Sequence, residues 1–342
     1  MKLDIIVPHY KEPWEVGKPL FDSIELQRMV NLADVNVILV NDGEGYEIDN
    51  SNFFGYSQHY SFNIHQITIP HGGISMARNA GFDYSNGDWV MYCDFDDSFL
   101  SLLALHMIFR EMETDKYDLI WSCFMEETKC GNGEMRVTAH ERDMIFIHGK
   151  AYRRKFLVDN NLRFYDALAI HEDVYLNMLA QSICPEERIG GIETPIYLWK
   201  WYDKSVTRKD NSEDFILLTF DCLVRQRIAL TNEFIKRKMH QNAQMVVVKT
   251  VIDTYYDCQK ELWKAKENKD LLTRAESWIS AYLKRYAKYY ATADIKVIAM
   301  MMKASRDNAI KTGFYAEEQT LGQWLTHLAR DITPVDPVEL NV

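Results

Sequence analysis

The chain of 342 residues lacks a cysteine framework: Cys93, Cys123, Cys130, Cys184, Cys222 and Cys258 form no CxxC pair and no compact cluster. That argues for a reducing compartment and against structural zinc. No uninterrupted apolar run approaches the ~20 residues needed to cross a bilayer. The opening Met1-Lys2-Leu3-Asp4 puts an acid into the first apolar run, unlike a signal peptide. The expectation is a cytoplasmic protein without a transmembrane segment. Two phosphate-binding signatures are missing as well. After the first apolar run, Val7-Pro8-His9-Tyr10 contains no Gly-x-Gly-x-x-Gly turn, which excludes a dinucleotide fingerprint. Gly149-Lys150-Ala151 lacks the hydroxyl and the upstream glycine of a P-loop.

Glycine and proline nearly vanish between Ser212 and Gly313, which marks a change of architecture near Lys209-Asp210-Asn211-Ser212. Beyond it, Phe215, Leu218, Cys222 and Leu223 recur at helical spacing, as do Val247, Val251, Ile252 and Tyr255. Residues 211–342 are therefore expected to form an all-helical region of four to six helices. Charge changes at the same place. Residues 1–210 carry 20 Lys and Arg against 33 Asp and Glu, and residues 211–342 carry 19 against 17. The acidic part would repel nucleic acid in bulk. Lys284 to Lys311 holds seven basic and two acidic residues, interleaved with Tyr286, Tyr289 and Tyr290. Two readings stand for it: a peripheral contact with an anionic membrane or phosphorylated acceptor, or a solvated helix face with its tyrosines packed inward.

The densest chemistry lies at Asp94-Phe95-Asp96-Asp97, directly after the apolar run Trp89-Val90-Met91-Tyr92-Cys93, a short buried strand. Carboxylates crowded at a strand end repel one another unless a cation lies between them, and Mg²⁺ or Mn²⁺ is the usual solution. Leu3 to Pro8 and Val35 to Val40 read as two further strands, the second ending in Asn41-Asp42-Gly43. Helices are expected over Lys18–Leu32, Ser75–Tyr84, Ser98–Glu111 and from Val174 to Leu179. Strands ending in polar residues and joined by helices imply an α/β parallel sheet with its ligand at the carboxyl edge.

Six segments in this order resemble the inverting GT-A glycosyltransferases of family 2. They are Ile6-Val7-Pro8-x-Tyr10, Val40-Asn41-Asp42-Gly43, Ser75-x-Ala77-Arg78-Asn79-x-Gly81, Asp94-x-Asp96-Asp97, Glu172-Asp173, and Tyr197-Leu198-Trp199-Lys200-Trp201 with Ser205-Val206-Thr207-Arg208. His148-Gly149-Lys150 is similar to the segment preceding the family's acceptor site. Asn41 stands where an Asp is frequent, and Lys11-Glu12 replaces an Asn-containing pair. The resemblance implies a GT-A (Rossmann-like) catalytic domain over residues 1–210, followed by the helical region 211–342. It also implies transfer of a sugar from a nucleotide-diphosphate sugar, a UDP-sugar foremost, to an acceptor hydroxyl with inversion.

Carried onto this chain, the resemblance gives donor contacts at Pro8, Tyr10, Glu12, Asp42, Arg78, Asp94 and Arg208, with Asp42 facing the nucleobase. It gives metal ligands Asp96, as the principal one, and Asp94, for Mn²⁺ or Mg²⁺. Asp97 is expected to cap the following helix. Asp173 is expected to be the base, kept ionised by a helix N-terminus and the metal, with Glu172 orienting the acceptor or the base. His148 and His171 are candidates for metal or phosphate contact, and Trp199 and Trp201 for stacking on a sugar. The acceptor would be a glycan, a lipid-linked glycan, a protein or a modified nucleobase. The helical region would serve acceptor placement, membrane contact or a homo-oligomer. The competing readings are a non-catalytic nucleotide-sugar or glycan-binding module, and a nucleotidyltransferase, whose N-terminal Gly-rich loop is missing.

Overall fold

The computed structural model describes residues 1–53, 60–205, 213–259, 269–311 and 319–331. The chain divides into two compact units, Met1–Lys209 and Asp210–Val342. The boundary segment Lys209–Ser212 itself lies outside the described residues.

Unit one is built on a mixed sheet. Its parallel part comprises β1 (Leu3–His9), β2 (Val35–Asp42), β3 (Asn63–Ile69) and β4 (Trp89–Tyr92), in the spatial order β3-β2-β1-β4. β2 and β4 are buried throughout and β1 in all but Pro8, which is why they read as near-continuous apolar runs. β3 is the edge, and its exposure alternates. Asp4 interrupts the apolar run of β1 yet is buried. It accepts from Asn36 Nδ2 at 2.6 Å and from the amides of Asn86 and Gly87 at 2.8 and 2.7 Å, fixing the turn that feeds β4.

Helix α1 (Trp14–Glu25) joins β1 to β2, and α2 (Ile74–Tyr84) joins β3 to β4. α1 begins just after Pro13 and ends well before Leu32, so it occupies an earlier span than the one expected from Lys18. Its apolar stripe of Leu20, Phe21 and Ile24 sets that span, because these side chains enter the core. Each such burial stabilises by about 1.5–3 kcal/mol. α2 lies close on β1 because Gly81 has no side chain: a Cβ there would stand 2.5 Å from Ile6 Cγ2.

The other half of the sheet departs from the all-parallel expectation. β5 (Ser98–Phe99), β6 (Leu119–Lys129), β7 (Met135–His140), β8 (Ala151–Arg153) and β9 (Ile189–Trp199) complete it. β8 runs antiparallel to both β4 and β6, while β6 and β9 are parallel with bulges around Cys123. The helix expected over Ser98–Glu111 is instead β5 followed by α3 (Ala104–Glu113). Ser98 and Phe99 pair with Leu198 and Tyr197 of β9, and this pairing overrides local helix propensity. Two more helices close the unit, α4 (Arg154–Asp159) and α5 (Glu172–Ile183). Strand order reverses about β1, so the carboxyl ends of β1 and β4 flank a topological switch point, where ligands of open α/β sheets bind.

Unit two holds five helices among its described residues: α6 (Glu213–Lys236), α7 (His240–Cys258), α8 (Lys269–Ala291), α9 (Ile295–Lys311) and α10 (Leu321–Asp331). Its core includes Val247, Val251, Tyr255, Ile279, Tyr282 and Trp324. Buried hydroxyls are satisfied internally, as in the 3.0 Å contact of Thr231 with Tyr282. None of the described helices is long and apolar enough to cross a membrane.

Candidate active site

At the end of β1 the chain turns over Lys11, whose φ is 67°. The Tyr10 amide donates to Glu12 Oε2 at 2.8 Å, while His9 contacts Asn41 Oδ1 and the Glu12 carbonyl. Asn41 is wholly buried and also donates to the Ile67 carbonyl, so this departure from the family pattern cross-links three strands. The Tyr10 ring stacks on His71, with centroids 4.2 Å apart and planes within 9°. Tyr46 meets Tyr10 edge-on, and Lys11 Nζ lies 4.5 Å over the Tyr10 ring. Asp42, at the end of β2, is buried. Its carboxylate accepts from the amides of Gly72 and Gly73 at 2.7 and 2.9 Å and contacts His71 Nδ1 at 2.9 Å. The expected base-reading Asp is thus already engaged in shaping the loop before α2. His71 and Tyr46 were not singled out from the sequence; the Gly72-Gly73 pair after His71 was the available signal.

Arg78, on α2, is 1% exposed and connects the two acidic motifs. Its Nη2 lies 2.6 Å from Asp94 Oδ1 and its Nη1 2.5 Å from Glu172 Oε1. Burial works against the guanidinium's charge, but Asp94, Glu172 and Asp173 outweigh it and raise its pKa. Burial likewise opposes ionisation of Asp94, and Arg78 and His148 overcome it, holding that carboxyl below its ordinary value. Asp96 is half-buried, and burial, then the charges of Asp94 and Glu12, push it up to about 7.

Asp97 does not cap a helix. It is fully buried, accepts from Tyr197 Oη at 2.7 Å and from the Lys200 amide at 2.9 Å, and lies 3.6 Å from His148 Nδ1. The correction follows from β5: where a helix was expected to begin, a strand pairs with β9 and brings Tyr197 over the acidic turn. Burial, then Asp96 and Asp94, raise the Asp97 pKa well above the carboxylate range. His148 is buried, which drives its pKa down to about 3, and its Nδ1 has no hydrogen-bond partner.

Asp94, Asp97 and His148 each offer a ligand atom, all within 4.8 Å of one another. Two carboxylates and an imidazole suit Mn²⁺ or a similar cation, and the unpartnered His148 nitrogen fits a ligand role. Asp96 is not part of this cluster.

The segment from β7 to β8 is held from below by α5. Asn177 Nδ2 donates to the carbonyls of Ile145 and Phe146, and Gln181 Nε2 donates to that of Met144. Lys150, wholly buried, pairs with Asp143 at 3.4 Å and donates to the Phe146 carbonyl. Asp143 in turn accepts from the amides of Ile145 and Phe146. Burial lowers the Lys150 pKa to about 8 against the pull of Asp143. Gly149 permits the turn: its φ is +64°, and a Cβ would stand 2.1 Å from Ser122 Oγ.

Asp173 sits in the first turn of α5 and accepts from the amides of Val174 at 2.8 Å and Ile147 at 3.3 Å. Without a bound metal, its pKa departs from the expected depressed value. Burial, then the negative charge of Glu172, raise it to about 7, outweighing Arg78. Glu172 is itself raised by burial, with Arg78 opposing. His171 occupies the N-cap position of α5 in the left-handed region, φ 65°. Trp199 tilts against His148, centroids 4.7 Å apart, and Trp201 Nε1 donates to Asp203 at 2.7 Å. Pro8 lies within β1, opposite Val40. Arg208 lies outside the described residues.

The model of the family described as Glycosyl transferase family 2 matches residues 4–169. A cholesterol galactosyltransferase of Borreliella burgdorferi is 26% identical over 123 residues, which is 36% of this chain and 32% of that protein, so the match spans about a third of its length. Among solved structures, S. aureus TarS 1-349 in complex with UDP-GlcNAc aligns with TM-score 0.51 and 15% identity over 93% of each chain. That likeness shows a shared fold. A mannosyltransferase of Pyrobaculum calidifontis in complex with GDP-Man and Mn2+ aligns with TM-score 0.48 and 13% identity, over 96% of this chain and 84% of its own.

Proposed function

Because the model of glycosyl transferase family 2 matches residues 4–169, we propose that the chain moves a sugar from a UDP-sugar to an acceptor hydroxyl with inversion, using Asp173 as base. The observation that carries this reading is the bridge made by Arg78. One buried guanidinium joins Asp94, from the acidic motif after β4, to Glu172, beside the candidate base at the start of α5. Residues far apart in sequence thereby converge at the carboxyl edge of the sheet, next to the switch point.

Each group has a role consistent with its surroundings. Tyr10 offers an aromatic face to the nucleobase, with Asp42 and Glu12 shaping the loops around it; Arg208 is assigned to the donor as well. Asp94 and Asp96 are the proposed metal ligands, with His148 and Asp97 adjoining. A divalent cation bound there supplies positive charge toward a diphosphate leaving group. Asp173 takes the proton of the acceptor hydroxyl. The freed oxygen forms a bond to the anomeric carbon on the face opposite the diphosphate, whose bond breaks with both electrons leaving on the phosphate oxygen. A base with a pKa near 7 combines proton affinity with a substantial ionised fraction at neutral pH. Glu172, tied to Arg78, orients this base; Trp199, Trp201 and His171 are assigned to the acceptor side. Catalysis is assigned to residues 1–210. Six free cysteines support a cytoplasmic setting.

The test is turnover of a panel of nucleotide sugars with and without Mn²⁺, with the product's anomeric configuration read by NMR. Retention of configuration would exclude the single-displacement mechanism, and no turnover of any UDP-sugar would exclude the donor assignment.

A further inference from the structure

We propose that the corner joining α8 to α9 is a docking surface for an anionic lipid bilayer. The tyrosines of this stretch do not form the surface. Tyr286 and Tyr289 are 3% and 7% exposed, and Tyr286 Oη donates to Asn232 of α6 at 2.7 Å. Their burial turns the intervening basic residues outward: Lys284, Arg285 and Lys288 are all exposed. α9 follows after a three-residue turn and presents exposed Lys296, Lys303 and Arg306. The α6–α7 turn adjoins the same corner, because Gln244 donates to the Tyr289 carbonyl and to Thr292 Oγ1, both at 3.0 Å. That turn brings exposed Lys236 and Lys238. The opposing charges are few. Asp294 accepts from the Lys296 amide at 2.8 Å at the start of α9, where a helix N-terminus offsets its charge. Glu233 is paired with Arg237 and Lys236, and Asp307 lies further along α9.

The second observation is apolar. Ile295 is 73% exposed and Met300 61%, both beside the basic residues of α9. No described residue of α9 is fully buried; the helix rests on α7 by a half-buried inner stripe, with Ser305 Oγ donating to Asp253. A helix with cations and exposed large apolar side chains on its outer face suits the interface of a bilayer, where the cations meet lipid phosphates and the apolar groups reach the acyl boundary. Nucleic acid would satisfy the cations but offers no acyl layer to Ile295 and Met300. A second copy related by a two-fold axis would set like charges against like charges. An anionic membrane answers both halves of the surface.

The test uses the full chain and vesicle co-sedimentation, so its outcome is independent of the proposed transfer activity. Vesicles of phosphatidylcholine with roughly a third phosphatidylglycerol should bind the protein, pure phosphatidylcholine far less, and binding should weaken as salt rises. Lys284→Glu, Arg285→Glu and Lys288→Glu together should lower partitioning by at least about 100-fold, because losing the three cations alone costs roughly fivefold each. Ile295→Ser with Met300→Ser, on exposed sites that leave folding intact, should lower it about tenfold while keeping the salt dependence. Equal binding to neutral vesicles, or binding unchanged in both variants, overturns the proposal. So does duplex DNA binding that the charge reversals abolish, or a concentration-dependent rise in mass that either variant removes; these would assign the surface to nucleic acid or to self-association.

Discussion

Arg78 and Glu172 stand 94 residues apart in sequence and meet at 2.5 Å in the core of unit one, where each is under a tenth exposed. With the half-buried Asp94 on the guanidinium's other nitrogen, the buried pair becomes a triad whose members depend on one another. Removing one partner of a buried ion pair costs about 3–5 kcal/mol, because the remaining charge is left uncompensated.

Arg78→Met should therefore lower Tm by on the order of 10 °C and abolish transfer together. Pairing it with Glu172→Gln in a double-mutant cycle should give a coupling of about 0.5–3 kcal/mol. Additive losses would show that the two side chains do not interact in solution.

Transfer should depend on pH through Asp173. Its carboxyl must be unprotonated to act, and burial raises it to about 7, so kcat/KM should climb as pH rises through about 7 and level off above. Asp173→Asn should cost on the order of 10²–10⁴ in rate while calorimetric donor affinity stays unchanged. A wild-type rate in that variant would remove Asp173 from the chemistry.

The same shift carries a stability consequence of opposite use. The folded-state pKa lies above the ordinary 3.8, so between those values the folded protein binds more protons than the unfolded chain. The stability this group contributes is full below about 4 and is lost as pH rises to about 7. Asp173→Asn should hence raise Tm at pH 8 and leave it unaltered at pH 4, as scanning calorimetry would show. A Tm lowered at both pH values would mean that the ionised carboxylate is structurally required.

Metal dependence should divide the acidic motif. Asp96→Asn should remove most activity with little change in Tm, since Asp96 is only half-buried, and EDTA should have the same effect on the wild type. Asp97→Asn should lower Tm, because Asp97 holds Tyr197 and the Lys200 amide. Full turnover in EDTA would refute the metal role, and Mn²⁺ titration by calorimetry would show whether His148→Ala weakens binding.

Tyr10 and His71 lie face to face and Lys11 Nζ lies over the Tyr10 ring, so a nucleobase stacking on Tyr10 must displace the imidazole or the ammonium. Tyr10→Ala should weaken donor binding by about 1–3 kcal/mol, roughly 5- to 150-fold, with kcat little changed. His71→Ala should alter discrimination between UDP- and GDP-sugars, measured by competition. Unchanged affinity in the Tyr10 variant would place the base elsewhere.

Strands β1, β2 and β4 and helix α2 are legible in the amino-acid order alone, because fully buried parallel strands must be written as apolar runs and their ends as polar turns. So are the succession of Tyr10, Asp42, Arg78, Asp94 and Asp173 along the chain, and the helical character of unit two, whose spacing is periodic. β3 was not legible, since an edge strand alternates, and β8 with three residues leaves no period to read. What the site residues do to one another came from the packed fold. The pairing of β5 with β9 turned Asp97 from a helix cap into an anchor for Tyr197. The ion pairs that α2 makes with α5 and with the turn after β4 made Arg78 the link between two acidic motifs. Burial beside Glu172, rather than a helix N-terminus, set the pKa of Asp173. These effects arise from desolvation and charge acting through space on groups brought together by folding, and none of them has a signature in local spacing.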